Sequence, residues 1–249
     1  MPISDYLLYG VLTLLLSSLF SMGGSGSGIA LIPILNFMGL DFTFAKAVGL
    51  FAGASTTITS SIMNIKRKVL DFSFVWPIAL MMMFFAPLGA YASQFINEEL
   101  IKFLFMLMLL YSATMMMFGK KKPLVQVQSR AVLFLLGSVI GFVAGLLGVG
   151  GGNILIPLLI FLGFEPKKVA VTVSFVVPFS ALSSFFTYAS YVPMDWILLS
   201  VVALCAIVGG YIGNYLMHFK LDQKQIKKLM AVILYILAFK LLYHFLAVL

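Results

Sequence analysis

The stretch "SMGGSGSGIALIPILNFMGL", Ser21 to Leu40, sets four glycines and two serines between Gly23 and Gly28, inside an otherwise apolar run. A second stretch, "GLLGVGGGNILIPLLIFLGF", Gly145 to Phe164, repeats the arrangement. At an offset of 124 residues Gly24, Gly26 and Gly28 fall on Gly148, Gly150 and Gly152, Pro33 on Pro157, and Gly39 on Gly163. The register then continues without a gap, pairing Phe51 with Phe175, Asp71 with Asp195, Gly89 with Gly213 and Tyr111 with Tyr235. Apolar sequence aligns easily by chance, but glycine, proline and aspartate together do not, so the chain reads as two copies of one unit.

Outward from the two breaks the chain is greasy throughout. Its 249 residues are 62% hydrophobic and 10% charged, with a mean hydropathy of +1.12. That is more apolar surface than a soluble domain of this size can bury. Runs long enough to cross a hydrocarbon core of about 30 Å recur without the period-2 alternation of barrel strands, which makes the expected class an all-α polytopic membrane protein. The apolar run beginning at Ile3 has no basic flank or cleavage signature and is read as a retained helix. Cys205, the single cysteine, lies mid-run and is read as a core residue. The net charge of +8 comes from lysines in short loops, so it marks membrane topology and not nucleic-acid binding.

Each half is expected to contain an opening helix (Asp5 to Met22; Ala131 to Leu147), the glycine break, a short helix (Gly28 to Met38; Gly152 to Leu162) and three longer helices. The longer ones are placed at Phe42 to Ile65, Phe72 to Phe95 and Glu98 to Phe118, then at Pro166 to Ser190, Asp195 to Phe219 and Lys224 to Leu246. Residues 1–119 form the first membrane repeat, 120–130 a cytoplasmic linker and 131–249 the second repeat. The short helices reach about 16 Å, half the hydrocarbon core.

Loop charges orient the halves, because Lys and Arg collect on the cytoplasmic side. Lys66, Arg67 and Lys68 mark one cytoplasmic loop and Lys120 to Lys122 with Arg130 another, which leaves Glu98 and Glu99 external. In the second half the basic residues move to the other loop, Lys220 to Lys228. The halves are therefore expected to be inverted repeats, each opening with a hairpin that returns to the face it entered from. The rival arrangement makes Asp5 to Met38 one broken span, with eight crossings and parallel halves.

Inverted repeats with interrupted helices are a transporter architecture, with the ligand near the midplane between repeats. A half-helix starting at Gly28 or Gly152 leaves backbone N–H groups unpaired at a partially positive end, which suits an anion. The candidate binding set is Gly24, Ser25, Gly26, Ser27 and Gly28 in the first break and Gly148, Gly150, Gly151, Gly152 and Asn153 in the second. A branched residue at Gly151 is expected to weaken anion binding without unfolding the chain. Thr56, Thr59 and Ser60 match Ser180, Ser183 and Ser184 at the same offset and are read as a hydroxyl lining, extended by Thr172 and Ser174. No acidic or histidine residue lies mid-span, and Lys46 and Lys240 are placed near an interface, where their ammonium groups can snorkel. No nucleophile–base pair, metal-ligand spacing or cofactor motif is found, so neither an enzyme nor a cofactor is expected.

The paired blocks "GGSGSGIALIPILNFMG" and "GVGGGNILIPLLIFLG", each followed about thirty residues later by an acid–aromatic pair (Asp71-Phe72, Asp195-Trp196), resemble the TauE/SafE family of sulfite and organosulfonate exporters. The resemblance covers both halves. Where that family shows Ala-x-x-Thr-Ser, this chain has "AVTVSF" at Ala170 to Phe175 and "AVGLF" at Ala47 to Phe51, so the first copy lacks both hydroxyls. Membership implies transport of sulfite, thiosulfate, sulfoacetate or a related sulfur anion across the bacterial inner membrane. The reading is then an anion exporter working by alternating access, in contact with lipid and its small-molecule anion, with a homo-oligomer left open. The rivals are an anion channel built on paired half-helices and an accessory membrane subunit.

Overall fold

The computed structural model describes residues 2–70, 72–118, 130–219 and 223–248. Asp71, Lys220 and the expected linker apart from Arg130 lie outside them. The described chain is helical: α1 (Ile3–Ser21), α2 (Gly28–Phe37), α3 (Phe42–Lys66), α4 (Phe72–Ala92), α5 (Glu98–Phe118), α6 (Arg130–Leu147), α7 (Gly152–Phe161), α8 (Pro166–Ala189), α9 (Trp196–Phe219) and α10 (Gln223–Val248). A single 3-10 turn, Ser93–Phe95, follows α4.

The 124-residue correspondence extends to backbone conformation. Gly24 and Gly148 have φ of 81° and 75°, Gly26 and Gly150 59° and 71°, and Gly39 and Gly163 96° and 95°, all in the left-handed region that glycine alone enters freely. The short helices also end identically. Leu40 N–H returns to Leu35 O and Phe164 N–H to Leu159 O, both at 3.1 Å, so that Gly39 and Gly163 close their helices by the same C-terminal motif. The correspondence breaks at one point of the motif, where Gly151 has φ 79° and its counterpart Ser27 has φ −79°.

Helix packing follows the same exchange. α1 packs on α9 and its counterpart α6 packs on α4; α2 lies on α3 and α7 on α8; α3 meets α9 and α8 meets α4. The pairs α3 with α8 and α5 with α10 each join a helix to its own counterpart. Both of these pairs are antiparallel: Phe51 meets Phe185 while Ser61 meets Ser174, and Phe103 meets Phe245 while Thr114 meets Tyr235. In these two pairs the equivalent helices thus run in opposite directions.

Within the first half, α1 runs parallel to α3, since Ser17 pairs with Thr56 and Ser21 with Ser60. α2 runs against α3, with Gly28 lying by Gly49 and Gly53 and Ile32 by Gly49. α1, the break and α2 therefore form a hairpin. Close approach is made possible by small residues: a Cβ on Gly89 would meet the Phe142 carbonyl, one on Gly145 the Ala86 carbonyl, and one on Gly213 the Ser18 carbonyl.

Among the described residues, five helices could cross a membrane by length and composition: Ile3–Ser21, Val75–Phe95, Glu98–Phe118, Lys168–Ala189 and Trp196–Met217. α3 is long enough but too polar to join them. Its Lys46, Thr56, Thr57, Ser60, Ser61 and Asn64 are buried against protein, so they are not presented to lipid. The apolar surface lies on the outer helices, where Leu7, Leu15, Phe84, Leu88, Leu204, Ile236 and Phe239 are exposed.

Candidate functional site

The two breaks meet. A Cβ built on Gly152 would lie 3.2 Å from Ser25 Cα, which places the first break against the start of α7. Neither short helix has a side-chain cap. The first helical bonds run from Leu31 N–H to Ser27 O and from Leu155 N–H to Gly151 O, each at 3.0 Å. The N–H groups of Gly28, Ile29, Gly152 and Asn153 precede any intrahelical acceptor and point out of the helix starts.

Three side-chain atoms among the described residues are buried with no hydrogen-bond partner: Ser25 Oγ, Asn153 Oδ1 and Ser184 Oγ. An unmet buried polar group costs about 1–3 kcal/mol, so three of them in a well-packed chain need a reason. All three belong to the set expected from the sequence. Ser25 and Asn153 flank the junction of the breaks, and Ser184 lies on α8, which covers α7.

The remaining expected residues divide into groups. Ser27 and Thr56 join Ser17 in a closed hydroxyl cluster, with Ser17 donating to Ser27 at 2.8 Å and Thr56 to Ser17 at 3.0 Å. Ser60 bonds Ser21 at 2.9 Å, and Ser21 also donates to the Gly210 carbonyl at 2.9 Å. Ser180 donates to the Gly150 carbonyl at 2.7 Å and so fixes the second break. Ser174 accepts from Asn64 Nδ2 at 3.0 Å, with Thr172 buried two residues before it. Thr59 and Ser183 are half-buried and donate to carbonyls of their own helices, Ser55 and Ser180. The hydroxyl face of α3 is therefore built on Thr56 and Ser60, four residues apart, and Thr59 stands outside it.

Gly24, Gly26, Gly28 and Gly148 are close-approach positions: added Cβ atoms would meet the Ala170 carbonyl carbon at 2.9 Å, Gly53 O at 2.9 Å, Gly49 O at 2.7 Å and Lys46 Cβ at 2.6 Å. Gly150 has more room, with Val177 at 3.2 Å. Gly151 combines its left-handed φ with a Cβ position 3.0 Å from the Ala144 Cβ. A branched residue there strains backbone and packing together, so the expectation that Gly151→Val spares the fold is corrected.

Sequence reasoning missed several groups. Ser17 and Ser21 on α1 were legible as an i, i+4 pair, and Thr57, Ser61 and Asn64 as a second polar face of α3. Ser61 donates to Ser174 O at 2.6 Å, while Asn64 meets Asn214, which accepts from Arg67 Nη1 at 2.7 Å. Lys46 does not snorkel: only 1% of it is exposed.

Comparison with known proteins finds a matching family and membrane-transporter relatives. The family model described as sulfite exporter TauE/SafE matches residues 9–241. Among curated proteins, the probable membrane transporter protein YunE of Bacillus subtilis is 25% identical over 96% of this chain and 98% of its own length. The probable membrane transporter protein MJ0441 of Methanocaldococcus jannaschii is 27% identical over 73% of this chain and 70% of its own. No solved structure matches the chain.

Proposed function

Because this chain belongs to the sulfite exporter TauE/SafE family, and is thereby a multi-pass membrane transporter, we propose that it exports a small sulfur oxyanion or sulfonate held between its two glycine breaks. The observation that carries the reading is the partnerless buried hydroxyl of Ser25 where the two uncapped half-helix starts meet, with a second partnerless hydroxyl, Ser184, on α8. The Ser25 and Ser184 hydroxyls can each donate to an anion, and the N–H groups at the two helix starts add donors without a formal charge, whereas the unpartnered Asn153 Oδ1 is an acceptor and requires a donor such as water.

Residues 1–119 and 131–249 act in this reading as inverted repeats joined by residues 120–130. The antiparallel courses of α3 with α8 and of α5 with α10 support inversion, as does the transfer of the basic loop from Lys66–Lys68 to the Lys227–Lys228 region. The hairpin of α1 and α2 returns to the face it left, which gives each half three crossings and opposite orientation. Rocking one repeat against the other opens the junction of the breaks to each side in turn. An interior-negative potential drives export of the anion, by about 2.3 kcal/mol per charge per 100 mV.

Counterflow in proteoliposomes tests this. Vesicles loaded with unlabelled sulfite or thiosulfate are expected to accumulate labelled anion transiently against its gradient, and with saturation. Flux that neither saturates nor exchanges would identify a channel, and absence of flux for every sulfur anion would reject the reading.

A further inference from the structure

The two breaks are matched in backbone but not in charge. The residue that fills the concave side of Gly24 is Ala170 on α8, and the one that fills the concave side of Gly148 is its counterpart on α3, Lys46. The Lys46 stem lies along Gly148, where a Cβ would fall 2.6 to 2.9 Å from its Cβ, Cγ and Cδ atoms. Its ammonium reaches past the break to lie 4.8 Å from the Tyr188 ring centre and 5.4 Å from that of Phe42. Tyr188 belongs to the same break, since its hydroxyl donates to the Gly145 and Leu146 carbonyls at 2.9 and 3.1 Å.

No hydrogen bond or ion pair to Lys46 Nζ is made among the described residues, and only 1% of the residue is exposed, although Nζ itself is not one of the three wholly buried atoms without a partner. Two aromatic faces are its direct contacts, the Glu98 and Asp41 carboxylates favour its charge from further away, and together they offset only part of the cost of removing an ammonium from water. The neighbouring cation is handled differently: Lys102 is paired with Glu98 at 2.8 Å and Glu99 at 3.2 Å. Ser184, which carries one of the three partnerless hydroxyls, lies one turn before Tyr188 on α8.

We propose that Lys46 is the charged contact for the transported anion at the second break, so that the anion meets an ammonium on the Gly148 side and only neutral donors on the Gly24 side. The proposal rests on the anion-transport reading and adds to it the residue that selects for negative charge. It makes the two ends of the path unequal: the side nearer the Glu98 loop holds the anion electrostatically, and the other by the hydroxyls of Ser17, Ser27 and Thr56.

The test is titration of the detergent-purified full chain and its Lys46→Met variant with sulfite, thiosulfate, sulfoacetate, phosphate and chloride, alongside thermal unfolding without anion. Methionine keeps the apolar stem against Gly148 and removes the charge; Lys46→Gln serves if Met does not fold. The expected result is affinity lower by at least about tenfold, the size of one lost charged hydrogen bond, with anion-free unfolding temperature no lower than in the wild type. Equal affinity in the variant overturns the role of Lys46 and leaves the transport reading standing. A loss of binding accompanied by a lowered anion-free unfolding temperature identifies Lys46 as structural and also overturns the proposal. Binding of phosphate or chloride alone, lost in the variant, upholds Lys46 and rejects a sulfur substrate; no binding of any anion by the wild type rejects both.

Discussion

The Thr56 hydroxyl donates to Ser17 at 3.0 Å across the interface of α1 and α3, and one turn further along both helices Ser21 meets Ser60 at 2.9 Å. These two rungs fix the register of the opening hairpin. Ser17→Ala and Thr56→Val should each destabilise the protein by about 1–2 kcal/mol, because each leaves a buried hydroxyl short of a partner. The double variant should lose less than the sum of the two, with a coupling of about 0.6 kcal/mol, as is usual for hydrogen bonds between membrane helices. Reversible unfolding of the four proteins in mixed detergent measures the cycle.

Two glycine replacements should separate packing from backbone strain. A methyl group at Gly145 has no room against the Ala86 carbonyl, so Gly145→Ala must force α4 and α6 apart, at a cost of several kcal/mol or failure to fold. Gly39→Ala meets nothing within 4 Å and costs only its left-handed φ of 96°, about 1–2 kcal/mol. Folded yield after detergent extraction should be low for the first and near normal for the second.

Orientation of the halves can be read with cysteine labelling in a Cys205→Ala background. With inverted halves, Lys66 and Gln225 fall on the cytoplasmic side and Glu99 outside. A membrane-impermeant maleimide added to intact cells should therefore label Glu99→Cys and spare Lys66→Cys and Gln225→Cys. External labelling of Gln225→Cys would favour parallel halves.

Asp195 caps the start of α9. Leu198 N–H and Ile197 N–H reach its carboxylate at 3.0 Å and the Tyr6 hydroxyl at 2.8 Å, and these bonds, that to Leu198 first, hold its pKa below the usual aspartate value. A carboxyl whose folded pKa is lowered contributes stability above its unfolded pKa and loses it as pH falls through the folded one. Acidification below the ordinary carboxylate range should therefore lower the unfolding temperature of the wild type more than that of Asp195→Asn.

Much of this was legible in the sequence because the repeat exposes itself through glycines and prolines, which other residues replace only at a cost in the backbone. The left-handed glycines, the prolines inside α2 and α7 and the terminating Gly39 and Gly163 recur at one offset for a backbone reason. Side-chain destinations were less legible, since a hydroxyl four residues from another can face a neighbouring helix, its own carbonyls or a ligand. Thr59 and Ser183 turned to their own helices, while Ser17 and Ser21, outside the glycine motif, proved to hold the first break together. Lys46 was misplaced because distance along the chain from a helix end says nothing about which helices cover it. Tyr188 and Phe42, which enclose it, lie on different halves.

The most direct measurement is thermal stabilisation of the purified protein by sulfite, thiosulfate and sulfoacetate, in the wild type and in Ser25→Ala. A bound anion at 100 times its dissociation constant adds about 2.7 kcal/mol. One sulfur anion should raise the wild-type unfolding temperature, and Ser25→Ala should lose most of that rise while unfolding no earlier without anion, since the hydroxyl removed has no partner among the described residues. An undiminished rise in Ser25→Ala would contradict the placement of the anion between the two breaks.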